Sequence, residues 1–488
     1  MMHWRAEPLP SPTPARSRRP ARPQPQTGRP LMVRFLGLAV AALLTANGVI
    51  VAEQASGRDL ISLGGDGLTN AREAIAKLLE DNKNKGQEPQ VAGAHIEQTT
   101  TTTALQATST TAPPAPVAAA PPATTSSSAP PAATPPTTAK KAPTNAAVDW
   151  PHVVDTVRPY IEKETGLPFT GPVTVTALDA APFNARLDTV RLNPAMDRAR
   201  RAEGTLKALG IIDPGVNLAD QVKRLSTGSV TAFHDVKANE LVLKNGQLTP
   251  FMLKTIVHEL VRADYDQHFE LDRPNLVIPD DETGLAWDSL VEGTASRIEA
   301  RFVSALPDKD KQSVQAEQQR VAGQLPKDLP DYVLVQYAFP FSSGPKFADF
   351  LMNNGGTARV NSAFQAPPTT TEQIIHPEKF LAGEGPKAIA NPTADGPVVR
   401  SGSLGQLMIS LMLAQVLDSG DAESAADGWG ADRYVAWQNG GQTCVRLSID
   451  MDTPDKVTEM GTALANWAKD TPGATIQGSG PFIVTRCA

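Results

Sequence analysis

The first 148 residues hold 19 of the chain's 43 prolines and only two aromatic side chains, Trp4 and Phe35. A stretch so poor in large apolar groups cannot bury enough surface to offset the entropy of ordering its backbone. The foldable part is therefore residues 149–488, which carry the other 23 aromatics. Those 340 residues suffice for one large core or a core with a subdomain. Charge is split in the same way. Residues 1–34 contain seven Arg and one Glu, a local +6, so a net charge of −7 leaves −13 for the remainder. An acidic main body argues against a nucleic-acid partner.

Phe35 to Ala52 reads FLGLAVAALLTANGVIVA, 18 residues without a charge. A transmembrane helix needs about 20 apolar residues. Arg16, Arg18, Arg19, Arg22, Arg29 and Arg34 precede it. The positive-inside rule then places residues 1–34 in the cytoplasm and everything after residue 52 outside. An uncleaved signal-anchor is expected, ahead of a cleaved signal peptide and of a buried soluble helix. A cleaved signal peptide, with Met32 as the start, gives the same topology, although no clean A-x-A site follows the apolar run. Residues 53–148 read as stalk and disordered linker. Residues 68–83 have an amphipathic pattern, and 99–145 are rich in Thr, Ala, Pro and Ser, with Lys140 and Lys141 as the only charges. This composition is open to O-glycosylation.

Beyond the linker, the expected fold class is α+β and mainly helical, with a small α+β unit at the C-terminus. Apolar spacing predicts helices over 150–165, 194–209, 284–306, 309–323, 345–365 and 403–418. PVTVTALD alternates like a strand. SVTAFHD (229–235) and NELVLKN (239–245) flank a hairpin turn. A helix starts after Thr249, which is a good cap before Pro250. In the tail, RYVAWQ, CVRLSID, ATIQG and PFIVTRC read as strands, with a helix at 454–470. The boundary between main domain and tail unit is set at 425/426. Cys444 opens one tail strand and Cys487 closes the last. Two cysteines cannot make a cysteine-rich zinc site, and outside the cytoplasm a disulfide is expected.

The chemistry-bearing sequence is His258-Glu259-Leu260-Val261-Arg262, one substitution away from HExxH. In HExxH two His at i and i+4 share a helix face and bind Zn²⁺, while the Glu activates the metal-bound water. Here a guanidinium, which has no lone pair to donate, takes the second position. Alone, HExxR is indistinguishable from a helix with an i, i+3 ion pair.

It is embedded, however, in an ordered series: AFHDVKANELVLKNGQLTPFMLKTIVHEL, DQHFEL (266–271), AWDSLVEGTASRIEARF (286–302), FPFSSGPKFADFL (339–351), PPTTTEQIIHPEKF (367–380) and GWGADRY (428–434). Over about residues 150–440 this series resembles actinobacterial secreted or membrane-anchored zincin-like proteins related to neutral zinc metallopeptidases, whose intact members look like HELTHALQDQHFDL followed by LVEGDA. The resemblance implies a zincin-like core of gluzincin type (HExxH…E). By position it makes His258 and Glu292 metal-ligand positions and Glu259 the general base. Arg262 departs from the second ligand His, and Thr294 from an Asp beside the ligand, which touches the outer shell.

His268 lies ten residues after His258, the first-to-third His spacing of metzincins, but Tyr265 stands where those proteins need a turning Gly. On a continuous helix ten residues rotate by roughly 1000°, about 80° off the His258 face. Asp266 is off by a similar angle the other way. His376 reads as structural, and His95, His152 and His234 have no partner visible in sequence.

These residues lead to an expected ion pair of Arg262 with Glu259 and Glu292. No cofactor is expected, and zinc would bind only with a third ligand that the sequence does not reveal. The function expected is a membrane-tethered, extracytoplasmic pseudopeptidase that binds or regulates an envelope peptide or protein. Two alternatives stay open: an active zinc metallopeptidase with a non-standard ligand set, and a structural envelope protein with a vestigial cleft.

Overall fold

The computed structural model describes residues 148–488, apart from 227–229 and 278–280. The chain begins with α1 (Trp150–Thr165), where Asp149 caps His152 N. Then come β1 (Thr174–Leu178), α2 (Ala180–Leu187), a π-turn at Asp188–Leu192 and α3 (Asn193–Ala208). α4 (Leu218–Ser226), β2 (Ala232–Asp235) and β3 (Glu240–Lys244) lead to α5 (Pro250–Phe269). β1, β3 and β2 form one sheet in that order, β1 parallel and β2 antiparallel to β3. The expected hairpin is this β2–β3 pair.

α5 starts where its cap predicts, with the Thr249 side chain accepting from Met252 N and Pro250 in the first turn. Twelve of its 20 residues are buried, on nearly every side, which marks it as the central helix of the body. α6 (Pro274–Val277) leads into α7 (Asp281–Ala305), a 25-residue helix packed along α5. α8 (Asp308–Gly323), α9 (Asp331–Ser342), α10 (Gly344–Asn353) and α11 (Gly356–Gln365) complete the helical layer. The helix expected over 345–365 is thus two helices, divided at Gly355 and Gly356, both at positive φ. Phe364 of α11 fills the core between α5 and α7, 4.1 Å from the Tyr265 ring and 5.8 Å from Trp287.

Two short helices, α12 (Thr371–Ile375) and α13 (Pro377–Ala382), precede the terminal unit. That unit contains β4 (Val398–Gly402), α14 (Gly405–Leu413), α15 (Ser419–Ala426), β5 (Trp429–Asn439), β6 (Gln442–Met451), α16 (Pro454–Asp470), β7 (Thr475–Gln477) and β8 (Phe482–Cys487). Its five-stranded sheet has the order β4-β5-β6-β8-β7. Because β4 pairs with β5, the sheet reaches back to Val398, earlier than the boundary at 425/426 drawn from strand patterns alone. β4 is only five residues long, and Val398 and Val399 are exposed, so it lacks the alternation that marks a strand. The Arg486 guanidinium on β8 donates to the carbonyls of Lys207 and Ala208, tying the sheet to the C-terminal end of α3.

Cys444 and Cys487 are directly opposite on β6 and β8 and form a disulfide. The bridge closes 43 residues of chain, so serine at both positions should cost about 2–4 kcal/mol. Urea denaturation of the two forms checks this; equal midpoints would show that the sheet does not depend on the bridge. No helix among the described residues is long and apolar enough to cross a membrane. The apolar segment 35–52, the linker and His95 lie outside the described residues.

Candidate functional site

Residues 254, 258 and 262 recur every four positions along α5, and residues 292 and 299 are seven apart on α7. Each set therefore lies along one helix face. The two faces meet. His258 Nε2 is 3.0 Å from Glu292 Oε2. On the other side of the ring, Nδ1 lies 3.0 Å from Glu299 Oε2, at ion-pair distance rather than in hydrogen-bond alignment. Lys254 Nζ holds the second oxygen of Glu299 at 2.9 Å. The Arg262 guanidinium hydrogen-bonds Glu292 Oε1, and its Nε lies 3.5 Å from Glu259 Oε2.

Glu259 has two further partners. The backbone N–H of His234 on β2 donates to it at 2.9 Å, and Arg191 from the π-turn approaches to 3.3 Å. Arg191 also lies over the Phe233 ring, with its guanidinium carbon 5.5 Å from the centroid. The result is an alternating chain of basic and acidic side chains: Lys254, Glu299, His258, Glu292, Arg262, Glu259, Arg191.

Burial alone would raise the Glu259 carboxyl, but the adjacent Arg191 and Arg262 outweigh it and hold the group down at about 2. Glu299 is likewise buried, and Lys254 and His258 hold it below the usual carboxylate range. Burial draws the Arg262 guanidinium below its ordinary value, opposed by Glu259. The His234 ring is pushed to about 4 by burial and by the charge of Arg262.

Because the folded value for Glu259 lies below its unfolded one, its contribution to stability is present above about pH 4.5. It is lost as pH falls towards 2. The full contribution is about 3 kcal/mol. Glu259→Gln should therefore show a flatter dependence of unfolding free energy on pH between 5 and 3 than the parent. Parallel profiles from denaturant titrations would remove Glu259 as the source.

Above this chain lies a cleft of about 200 Å³ with His258, Glu259 and Glu292 on its floor and Phe251, Tyr337 and Phe341 among its walls. Val230, Thr231 and Ala232 line another side. Lys244 N donates to Thr231 O, so the alternating ladder directs Thr231 and Phe233 towards β3. The main-chain groups of Ala232 and His234 then face away from β3, and the His234 N–H reaches Glu259. β2 is thus the edge strand of its sheet, with Ala232 on the cleft side and the His234 N–H already taken by Glu259.

The zinc implied by the resemblance does not fit these donors. His258 and Glu292 offer two ligands on one side, where a catalytic zinc takes three. The third position holds a guanidinium already bonded to Glu292. Glu299 is on the opposite side of the imidazole, the place of a carboxylate that orients a ligand rather than of a ligand itself. Among the described residues no group of three His, Cys, Asp or Glu could hold a metal ion.

The other sequence candidates lie elsewhere. His268 Nε2 is 2.9 Å from Pro168 O, and Asp266 Oδ1 accepts from Leu271 N at the end of α5. His376 precedes α13 with its Nε2 3.1 Å from Asp427. His152 is exposed on α1. Thr294 is buried beside the site, with its hydroxyl unpaired. Lys254 and Glu299 escaped the motif reading although their helical spacing is visible in the sequence. Arg191 and the His234 main chain carry no such signal, because the π-turn and the β2 edge reach Glu259 only through tertiary packing.

Residues 396–485 match a family model described as a domain of unknown function, DUF8575; this covers the terminal sheet and its helices. Neither the curated proteins nor the solved structures contain a match to the chain.

Proposed function

We propose that this chain is a membrane-tethered, extracytoplasmic pseudopeptidase of zincin-like descent, which binds an extended peptide or protein segment without hydrolysing it. The observation that carries the reading is the Arg262 guanidinium bonded to Glu292 beside His258. A fixed cation there neutralises the carboxylates and offers no site for an activated water. The cleft has what a peptide needs: the Ala232 main chain on the edge strand β2 for hydrogen bonds and aromatic walls for side chains. Glu259 is held ionised by two arginines and a main-chain N–H, so it serves as a structural anion. The extracytoplasmic location rests on the basic head and apolar segment of the sequence. The Cys444–Cys487 disulfide suits it, since such bridges persist in oxidising compartments.

Metal analysis of the purified full chain tests the reading, together with a peptidase assay. The expected result is substoichiometric zinc and no cleavage of an unfolded protein substrate. One tightly held zinc per chain would overturn it. Arg262→His should introduce zinc binding, read as stoichiometric metal after dialysis, because Glu292 and the Glu299-backed His258 are already placed.

A further inference from the structure

A second cavity, of about 520 Å³, lies on the next face of α9. Tyr337, Ala338 and Phe341 face the first cleft, while Val335, Ala338, Phe339 and Ser342 face the second, so Ala338 belongs to both walls. The far wall comes from α14 and α15 of the terminal unit, through Gln406, Leu407, Ser410 and Glu423. Its lining has a definite chemistry. Phe339, Leu407 and the half-exposed Ile375 supply apolar surface.

The charges nearly cancel. Lys346 and Glu423 have opposite signs, and neither side chain has an ion pair among the described residues. Asp427 is already held by Lys456 and His376. Gln406 is 6 % exposed and reaches His376 with one end of its amide, while the Oε1 end has no partner. Rotating the amide by 180° would leave its NH₂ unpaired instead, so one polar end is unsatisfied either way. A buried polar group is costly to leave unmet.

We propose that this cavity is a second subsite for the same bound polypeptide, which runs from the β2 edge past Ala338 and places an apolar side chain between Phe339 and Leu407. The inference rests on the peptide-binding reading of the first cleft and extends it. A polypeptide fits because its main chain offers both a donor and an acceptor to Gln406 and carries little net charge. A nucleotide or other polyanion lacks a cation cluster here. The volume is within the range of pockets that bury a small ligand. The partner is therefore a segment long enough to occupy two pockets, and the terminal unit contributes to recognition.

The test uses random dodecapeptides displayed on phage, selected against the full chain, with affinities of synthetic copies measured by fluorescence anisotropy. Thr255→Phe fills the first cleft; Ser410→Trp and, independently, Ser342→Phe fill the second. Unchanged thermal midpoints identify the variants that fold. Selected peptides should lose at least about tenfold in affinity with either cavity filled, a loss of one 1.4 kcal/mol step. Halving each peptide should weaken it similarly. Peptides sensitive to Thr255→Phe but indifferent to both second-cavity variants would overturn this inference and leave the first-cleft reading standing. Failure to select any peptide, or indifference to all three variants, would overturn both.

Discussion

Arg262→Met should destabilise the protein by about 3–5 kcal/mol, the usual cost of removing one partner from a buried ion pair. The guanidinium is 13 % exposed and lies between two buried or half-buried carboxylates, Glu259 and Glu292. Methionine keeps most of the volume and removes the charge. Glu259 retains Arg191 and the His234 N–H, whereas Glu292 is left with His258 alone. The uncompensated charge is therefore mainly on Glu292, and a second change should relieve it. Arg262→Met with Glu292→Leu should recover much of the loss, because an apolar pair of similar size replaces a buried ion pair at little cost. Urea denaturation of the parent, both single variants and the double variant forms a thermodynamic cycle. A single Arg262→Met cost below about 1 kcal/mol would mean that Glu292 turns to solvent, and the ion-pair account of this helix crossing would fail.

Gly293→Ala is the second large effect expected. Gly293 follows Glu292 on α7, and a Cβ there would sit 2.2 Å from the carbonyl carbon of Gly344 and 2.4 Å from its oxygen. The contact is reciprocal, since a Cβ on Gly344 would meet Ser289 O at 2.3 Å. Both obstacles are backbone, so no rotamer change relieves them. One methyl group should cost about 3 kcal/mol, the upper end of the usual overpacking range. It would also push α7 away from α10 and shift Glu292 relative to His258. Gly323→Ala is the control. Nothing lies within 4 Å of its Cβ position, and its effect should stay within about 0.5 kcal/mol. Equal thermal midpoints for Gly293→Ala and Gly323→Ala would show that the two helices can separate freely.

The two predictions differ in how far the sequence anticipates them. HExxR and LVEGTA name His258, Glu259, Arg262 and Glu292 directly, because helical spacing and motif order survive in one dimension. The same spacing exposes Lys254 and Glu299, but only once α5 and α7 are known to face each other. The need for glycine at 293 is invisible in sequence, since it arises from a contact with a residue 51 positions away.

What the sequence alone determined is the kind of information that composition and periodicity carry. The hairpin, α5, α7 and α8 lie close to where apolar spacing puts them. The Cys444–Cys487 pair also follows from strands that bracket both residues. Tertiary structure decided the rest. Arg191 and the His234 main chain reach Glu259 because a π-turn and a strand edge pack over α5. The terminal sheet begins at β4 because a short exposed strand gains its definition from its neighbour β5. Each of these depends on where two distant segments meet, and the free energy of that meeting is spread over the whole core rather than written in either segment.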